Sequence, residues 1–276
     1  MVETKSLVST RSLQAMPMAL VSVVVPAYNS ERTIEEVVRR VSALSMPPHG
    51  IELIVVDDAS TDATWDRLQS FPQITCIRHA QNTGKGGALR SGMQAARGDV
   101  LVIEDDDLEY DPGQIPSLVA PILAEQADVV HGSRHLERRN RRGFRLYYIG
   151  GVFINRVIKA VLRHDITDAI SGAKALSRAA YERIRPIECN GFDVETELTA
   201  KIIGHGLRLR EVPITYRPRS HAEGKNIHWY HALVLLWTLV KYAVRSRSLA
   251  APGIEGSGSA AIEQHRPKSG EVARTG

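Results

Sequence analysis

The chain has 276 residues, of which 43% are hydrophobic and 24% are charged. This composition is typical of a globular protein and excludes a disordered, collagen-like or fibrous chain. Thirty-five basic against thirty-one acidic residues give a net charge of +4, too small to indicate a nucleic acid partner. Two cysteines, Cys76 and Cys189, are too few for a disulfide scaffold or a four-cysteine zinc site and favour a reducing compartment.

The two ends of the chain differ from its middle. Residues 1–18 are polar, and residues 246–276 are rich in Ser, Gly, Ala and charge, so we expect both to be disordered tails around one domain at 19–245.

The apolar run at 20–25 is too short for a secretory signal. The run at 232–244 contains Lys241 and is shorter than the roughly 20 residues of a spanning helix. We therefore expect no membrane span.

The first half of the chain alternates strand-like and helix-like segments. Residues 21–25 form an unbroken β-branched run, typical of a strand buried on both faces. Helical spacing follows at 30–45, with Ser30 as the expected N-cap. Further strands are predicted at 51–56, 74–77, 100–103 and around 129–130, and further helices near 60–68, 87–96 and 115–124. This alternation predicts a mostly parallel α/β sheet flanked by helices, in which ligands bind beyond the carboxyl ends of the strands.

The second half of the chain is less regular. A loop at 134–145 carries six arginines in twelve positions. Helices are predicted at 147–162, 194–203 and 228–244, and strands at 173–176 and 207–214. A loop rich in Pro, Gly and charge spans 217–225.

An acidic segment directly follows the fourth predicted strand. Five of the six residues from Glu104 to Glu109 are carboxylates, and such crowding predicts that some of their pKa values rise. In extended backbone, Asp105 and Asp107 point to one side and Asp106 to the other. Two carboxylates on one side suit a hard divalent cation such as Mg²⁺ or Mn²⁺. A solvated acidic loop is the alternative, but the end of a buried parallel strand favours a metal site.

Two other segments near strand ends allow more than one interpretation. Asp58, after the second strand, can accept hydrogen bonds from a base or ribose, or it can cap the next helix. The glycine-rich segment Asn82-Thr83-Gly84-Lys85-Gly86-Gly87 matches neither the Walker A nor the dinucleotide pattern. It is either a helix start that faces an anion or a tight turn.

Taken in order, these segments resemble the family 2 inverting glycosyltransferases, and within them the dolichol-phosphate mannose synthase branch. The motifs that carry the resemblance are Pro26-Ala27-Tyr28-Asn29, Val56-Asp57-Asp58-Ala59-Ser60, Asn82-Thr83-Gly84-Lys85-Gly86, Asp105-Asp106-Asp107-Leu108-Glu109, Gly132-Ser133-Arg134 and Glu211-Val212-Pro213-Ile214. The resemblance covers 19–245 and implies a GT-A fold, with a nucleotide-binding half at 19–133 and an acceptor-facing and membrane-facing half at 134–245. Its last helices are expected to be amphipathic.

The resemblance also implies an activity and roles for individual residues. A hexose would pass from a GDP-mannose or UDP-glucose type of donor to a polyprenyl phosphate, with Mg²⁺ or Mn²⁺, at the cytoplasmic face of a membrane. Donor contacts are implied for Pro26, Tyr28, Glu31, Val56, Asp58, Asp105 and Asp106. Metal ligands are implied at Asp105, Asp107 and Glu109. Catalytic roles are implied for Asp107, Arg134, Arg219 and Lys225.

The chain departs from the family pattern at two positions. Ser30 stands where the family usually has Glu directly after Tyr-Asn, with Glu31 one residue later. Asp106 stands in the middle of the D-x-D motif, where a small Ala is common. These departures leave the donor contact at Glu31 and the metal arrangement open.

The acceptor decides whether the reaction needs a general base. A phosphate monoester, with a second pKa near ~6, is already largely ionised at neutral pH, whereas a hydroxyl requires a positioned carboxylate. Candidates for that base are Asp168, Asp193 and Glu195, although the last two also suit a helix start. Alternatives to the lipid acceptor are a soluble or other hydroxyl, or a nucleotide-sugar-binding scaffold without turnover. A nucleotidyltransferase is a weaker alternative, because the expected glycine-rich triphosphate loop near the first strand is missing.

Three features favour a membrane surface as a partner. They are the arginine-rich loop at 134–145, the basic and apolar helix at 147–162, and the aromatic residues of the last helix, Trp229, Tyr230, Trp237 and Tyr242. Each also has a simpler interpretation, as a solvated loop or as packing onto the sheet. The oligomeric state is left open.

Overall fold

The computed structural model describes residues 18–137, 140, 155–218 and 230–250, with side chains at 230–233 and 246–250 left aside. Residues 1–17 and 251–276, which include nearly all of the predicted tails, lie outside the described residues. The same holds for most of the arginine-rich loop and for 219–229, and therefore for Arg219, Lys225 and Trp229. The predictions made for these segments stay predictions.

A seven-stranded sheet with the order β3-β2-β1-β4-β6-β5-β7 forms the centre of the described chain. Its strands are β1 (Leu20–Ala27), β2 (Gly50–Asp57), β3 (Thr75–Arg78), β4 (Val100–Ile103), β5 (Val129–Ser133), β6 (Lys174–Ser177) and β7 (Leu209–Pro213). All neighbouring strands run parallel except β6, which is antiparallel to both β4 and β5. The predicted mostly parallel α/β sheet is confirmed. Because β6 runs the opposite way, its first residue, Lys174, lies beside Ile103 at the carboxyl end of β4.

Eight helices surround this sheet within the described residues. They are α1 (Ile34–Ser42), α2 (Thr64–Leu68), α3 (Lys85–Ala95), α4 (Ile115–Leu123), α5 (155–162), α6 (Arg178–Ile184), α7 (Val194–Gly204) and α8 (Tyr230–Ala250). The predicted N-cap at Ser30 is wrong, since α1 begins at Ile34 with Thr33 as its N-cap. Helix α6 was not predicted; its N-cap, Ser177, accepts a hydrogen bond from the backbone N–H of Ala180 at 3.1 Å.

Apolar side chains alternate between the two faces of the sheet, as the period of a strand requires. Val21, Val23 and Val25 of β1 belong to a cluster with α1 and α4, whereas Val24 belongs to a second cluster with α3 and α7. All four valines are fully buried, and each stabilises the fold by roughly 1.5–3 kcal/mol. Helices cover both faces of the sheet. Polar residues therefore gather at the edge formed by the carboxyl ends of β1, β2 and β4.

Helix α8 presents an apolar stripe to solvent. Its residues Trp237 (72% exposed), Val234, Val240 and Val244 are exposed, while Leu239 and Tyr242 on the other face are buried. The interpretation of Tyr242 as an interfacial aromatic is wrong, because its ring is 1% exposed and its hydroxyl donates to Glu188 Oε2 at 2.8 Å. Across the described part of the chain, no helix combines the length and apolar character that a membrane span requires.

Candidate functional site

Three neighbouring strands end at one edge of the sheet and carry the predicted site residues. Ala27 pairs with Asp57, and Val24 pairs with Ile103, so Tyr28, Asp58 and the acidic segment follow adjacent strands. The backbone N–H of Tyr28 donates to Asp106 Oδ2 at 3.1 Å. The expected convergence of these strand ends is therefore present.

The three central carboxylates of the acidic segment make different contacts. Asp105 Oδ1 lies 2.6 Å from Lys85 Nζ. Asp106 contacts the segment after β1 through the Tyr28 backbone and the Ser30 hydroxyl; because β4 ends at Ile103, the strand alternation expected for Asp105, Asp106 and Asp107 stays a prediction. Asp107 Oδ1 accepts a hydrogen bond from the backbone N–H of Glu109 at 2.9 Å. Each carboxylate is thus held by a different part of the fold.

Burial and repulsion raise one pKa in this segment. Glu104, at the end of β4, is 2% exposed. Its burial, followed by the charges of Asp105, Asp107 and Asp111, raises the pKa of the Glu104 carboxyl well above its usual range. The direction agrees with the rise expected for this segment, with burial as a larger cause than the crowded charges.

Lys85 lies between two carboxylates. Its Nζ is 2.6 Å from Asp105 Oδ1 and 2.8 Å from Glu195 Oε1. The other oxygen of Glu195 bonds the Lys174 ammonium, which is fully buried at the start of β6. Burial opposes ionisation of Glu195, but Lys174 and Lys85 outweigh it and hold the pKa of this carboxyl below its usual value. Glu195 is therefore a carboxylate fixed between two cations, a poor arrangement for a general base.

Asp58 supplies negative charge at the start of helix α3. Its carboxylate accepts hydrogen bonds from the backbone N–H groups of Thr83 (2.9 Å) and Gly84 (2.6 Å) and from the Thr83 hydroxyl (2.8 Å). His79 Nδ1 lies 2.6 Å from the same carboxylate. Burial alone would raise the pKa of Asp58, but these hydrogen bonds lower it. Asp58 thus binds the backbone N–H groups of Thr83 and Gly84, just before α3. Its contact with a nucleoside stays a prediction.

The glycines of the Gly-rich segment allow close backbone packing. The backbone N–H of Gly86 donates to the Asn190 carbonyl at 2.7 Å. A Cβ at Gly86 would overlap the Cys189 carbonyl oxygen, and one at Gly84, which has φ +81°, would overlap the Asn190 carbonyl oxygen. The structure favours the tight turn over an anion site, because Asp58 and Asn190 already occupy these N–H groups.

The remaining predicted donor residues lie in different surroundings. The Tyr28 side chain is 47% exposed, whereas Val56 is fully buried in the core. Pro26 pairs with Val56 near the ends of β1 and β2. Glu31 Oε2 accepts a hydrogen bond from the backbone N–H of Ala63 at 3.3 Å, at the start of α2.

A cavity of about 490 Å³ opens beside Asp58, lined by Ala59, Ser60, Arg78, His79 and Ala80.

Arg134 is locked by Asp168 on the other side of the site. Its backbone N, Nε and Nη2 donate to the Asp168 carboxylate at 2.9, 2.7 and 2.7 Å. Burial opposes the charge of Asp168, but Arg134 outweighs it and lowers the pKa of this fully buried carboxyl. The guanidinium also lies 5.3 Å from the centre of the Tyr216 ring, whose hydroxyl donates to Glu109 Oε2 at 2.7 Å. Arg134 and Glu109 therefore belong to one polar network.

Sequence reasoning missed several members of the site. Lys174 had a usable signal, because a lysine within a predicted buried strand requires a carboxylate partner. Lys85 was noted only as part of a phosphate-loop pattern. Tyr216 and the contact between Ser30 and Asp106 had no signal in the sequence.

The fit of a divalent cation can be judged from these contacts. Among the described residues, no group of three or more His, Cys, Asp or Glu side chains is arranged to hold a metal ion. Asp105 is paired with Lys85, and Glu109 with Tyr216. Mg²⁺ in phosphate-transfer sites is commonly held by one or two carboxylates together with substrate phosphates. The residues present fit this second mode, with Asp107, and Glu109 two residues later, as the candidate ligands.

Known proteins share both the sequence pattern and the fold. Residues 22–185 match the model of Glycosyl transferase family 2. The chain is 36% identical over 210 residues to "Glycosyltransferase AglD" of Haloferax volcanii, covering 72% of this chain and 33% of that protein. It is 31% identical over 214 residues to "Dolichol-phosphate mannosyltransferase" of Pyrococcus furiosus, covering 74% of this chain and 58% of that protein. The chain thus spans a third to somewhat over half of these two relatives.

A solved structure agrees with this assignment. The glucosyl-3-phosphoglycerate synthase of Mycobacterium tuberculosis, solved with Mn²⁺, UDP and phosphoglyceric acid, matches at a TM-score of 0.64 and 27% identity. The match covers 87% of this chain and 81% of that structure. The chain belongs to glycosyl transferase family 2 and has its GT-A type α/β fold, as the ordered motifs predicted.

Proposed function

We propose that this chain transfers a hexose, with inversion, from a nucleotide sugar to a polyprenyl phosphate, and that it requires Mg²⁺ or Mn²⁺. Family membership and the converging strand ends support glycosyl transfer, and a relative named for dolichol phosphate supports the lipid acceptor. GDP-mannose and UDP-glucose are the proposed types of donor. The proposed location is the cytoplasmic face of a membrane.

The contacts of the three candidate bases are the observation that supports a phosphate acceptor. Asp168 is paired with Arg134, and Glu195 lies between Lys85 and Lys174. Asp193, the N-cap of α7, accepts a hydrogen bond from the Thr238 hydroxyl at 3.1 Å. A hydroxyl acceptor would need one of these carboxylates to take its proton, whereas an ionised phosphate would not. The contacts therefore favour an acceptor that arrives already deprotonated.

The proposed reaction assigns a task to each group at the strand ends. The exposed Tyr28 ring would support the nucleoside, and Asp107 with Glu109 would hold the metal at the diphosphate. A bound divalent cation would supply positive charge that stabilises the leaving diphosphate. Arg134 would orient donor sugar or acceptor phosphate while remaining paired with Asp168. Arg219 and Lys225 are proposed as further cations for the diphosphate.

Helix α8 provides the proposed contact with the membrane. Its exposed stripe of Trp237, Val234, Val240 and Val244 suits an interface between water and lipid. Lys241 and Arg245 follow on the same helix; both pair with Glu188 but keep 43% and 59% of their side chains exposed, and they would lie near anionic headgroups. This arrangement would keep the chain peripheral to the bilayer and bring it to the lipid acceptor.

A soluble phosphorylated acceptor is the second candidate. It is favoured by the fold match to a synthase whose structure contains phosphoglyceric acid. In that case the site would need no lipid, and α8 would serve packing or assembly.

A donor and acceptor screen tests the proposal. The chain is incubated with GDP-mannose or UDP-glucose, Mn²⁺ or Mg²⁺, and vesicles containing polyprenyl phosphate; diphosphate release and glycolipid are measured. Asp107→Ala should lower turnover by about 100-fold or more, while Asp66→Ala on α2 should not. Transfer to soluble phosphorylated acceptors without lipid would favour the second candidate.

Glu195→Gln separates the two kinds of acceptor chemistry. With a phosphate acceptor, turnover should stay within about tenfold, whereas loss of a general base costs about 10²–10⁴-fold. The assay is run below the unfolding temperature of the variant, because one partner of a buried ion pair is removed. Loss of transfer with intact donor binding would show that Glu195 is the base.

A further inference from the structure

The two positions that depart from the family pattern contact each other. Ser30 Oγ donates a hydrogen bond to Asp106 Oδ2. The same oxygen accepts the backbone N–H of Tyr28 at 3.1 Å. Thr33 Oγ1 donates to the Asp106 carbonyl at 2.6 Å. Asp106 therefore joins the acidic segment to the turn after β1, which comprises residues 28–33.

That turn is also held from its other side. The backbone N–H of Asn29 donates to Ser60 Oγ at 2.9 Å, and its side-chain oxygen accepts the backbone N–H of Thr61 at 2.8 Å. The backbone N–H of Ser30 donates to Thr64 Oγ1 at 2.7 Å. Asn29 has φ +52°, a left-handed conformation that Asn tolerates better than most residues. With both sides bonded, the turn has one defined backbone path.

This path places Tyr28 at a defined distance from the acidic segment. The ring of Tyr28 is 47% exposed, whereas Ser30, two residues later, is 9% exposed. Asp106 is the direct neighbour of Asp107 in the chain. The carboxylate that bonds the Tyr28 backbone is thus one peptide unit away from the proposed metal ligand.

We propose that Asp106 is a positioning residue that sets the separation between Tyr28 and Asp107. The inference rests on the proposed function, in which Tyr28 supports the nucleoside and Asp107 holds the metal at the diphosphate. One nucleoside diphosphate has to reach both groups at once, so a fixed separation removes an ordering cost from binding. Asp106 acts through the turn and need not contact the donor.

The proposal predicts a selective defect. Without the Asp106 carboxylate, each half of the site keeps its own residues. Of the contacts named above between the turn and the acidic segment, the one from Thr33 Oγ1 to the Asp106 carbonyl remains, so the separation is less tightly fixed. Binding of a nucleoside diphosphate with Mn²⁺ should weaken by about tenfold or more, since hydrogen bonds to a charged carboxylate are among the stronger ones. Binding of the nucleoside alone, which uses one half, should not change.

The test measures GDP and UDP binding with Mn²⁺ by calorimetry, and guanosine and uridine binding by saturation-transfer NMR. The full chain is compared with Asp106→Ala, Asp106→Asn, Ser30→Ala and the double variant Ser30→Ala with Asp106→Ala. Asp165→Asn, which removes an exposed carboxylate elsewhere, is the matched control. Asp106→Asn retains an acceptor oxygen and should recover most of the affinity. The double variant should bind little more weakly than Asp106→Ala, because Asp106→Ala already removes the contact with Ser30 and leaves Ser30→Ala only the long 3.3 Å bond from Ser30 Oγ to the Tyr28 carbonyl to remove.

The outcomes separate this proposal from the proposed function. If the unaltered chain binds neither diphosphate, the proposed function fails. If it binds one and Asp106→Ala binds that diphosphate equally well, the positioning role is wrong. A parallel loss of nucleoside and diphosphate binding would also overturn it, since that pattern indicates a direct contact or a damaged fold.

Discussion

Replacement of Asp168 by Asn should release Arg134 and destabilise the whole domain. Asp168 is fully buried and accepts three hydrogen bonds from Arg134, at 2.7–2.9 Å. Removal of one partner from a buried ion pair typically costs about 3–5 kcal/mol, because the other charge stays buried without compensation. At about 2–4 °C per kcal/mol for a domain of this size, the unfolding temperature should fall by roughly 6–20 °C.

The effect should depend on pH with a defined sign. The pKa of Asp168 is lowered in the folded state, since Arg134 outweighs its burial. A carboxyl of this kind contributes stability above its unfolded pKa of about 3.9, and the contribution is lost as pH falls through the folded pKa. The difference between the unaltered chain and Asp168→Asn should therefore be full at pH 7 and shrink below about pH 4.

Thermal unfolding followed by circular dichroism at pH 7 and at acid pH measures both effects. Asp165→Asn, which removes an exposed carboxylate, should change the unfolding temperature little. Arg134→Met combined with Asp168→Asn should cost less than the sum of the two single changes, because the pair is removed together. An Asp168→Asn variant that unfolds within 2 °C of the unaltered chain at pH 7 would refute the locked arrangement of Arg134.

Two further predictions concern the Gly-rich segment and α8. Gly86→Ala should lower the free energy of unfolding, measured in urea, by about 3 kcal/mol, because its Cβ would overlap the Cys189 carbonyl. Gly113→Ala, whose Cβ would lie 3.4 Å from the Asp111 carboxylate, should change it little. Equal losses in the two variants would contradict the packing role of Gly86. Trp237→Ser should reduce sedimentation with anionic phospholipid vesicles several-fold through loss of its 72% exposed ring. Met18→Ser, at an exposed position two residues before β1, should not reduce it. Unchanged binding of the Trp237 variant would remove α8 from the proposed membrane contact.

Several parts of the site follow from local sequence alone. A β-branched run such as 21–25 is typical of a strand buried between two layers, so the strands of the first half and the mostly parallel character of the sheet could be predicted from the pattern of apolar residues, but not the order of the strands. Polar residues directly after such strands must then gather at one edge. That is why Tyr28, Asp58 and the acidic segment could be placed together, and why the family could be recognised.

The partner of each charge could not be read in the same way. Lys85 and Glu195 are 110 positions apart in the chain, and Arg134 and Asp168 are 34 apart, so no local period joins them. The antiparallel insertion of β6 brings Lys174 to the end of β4, and it is this step that converts Glu195 from a candidate base into one partner of an ion pair. The amino-acid order by itself determined which chemical groups the chain carries and at which edge they collect. Only the tertiary structure decided which of them are neutralised by a partner, because electrostatic pairing depends on distance through space and on burial.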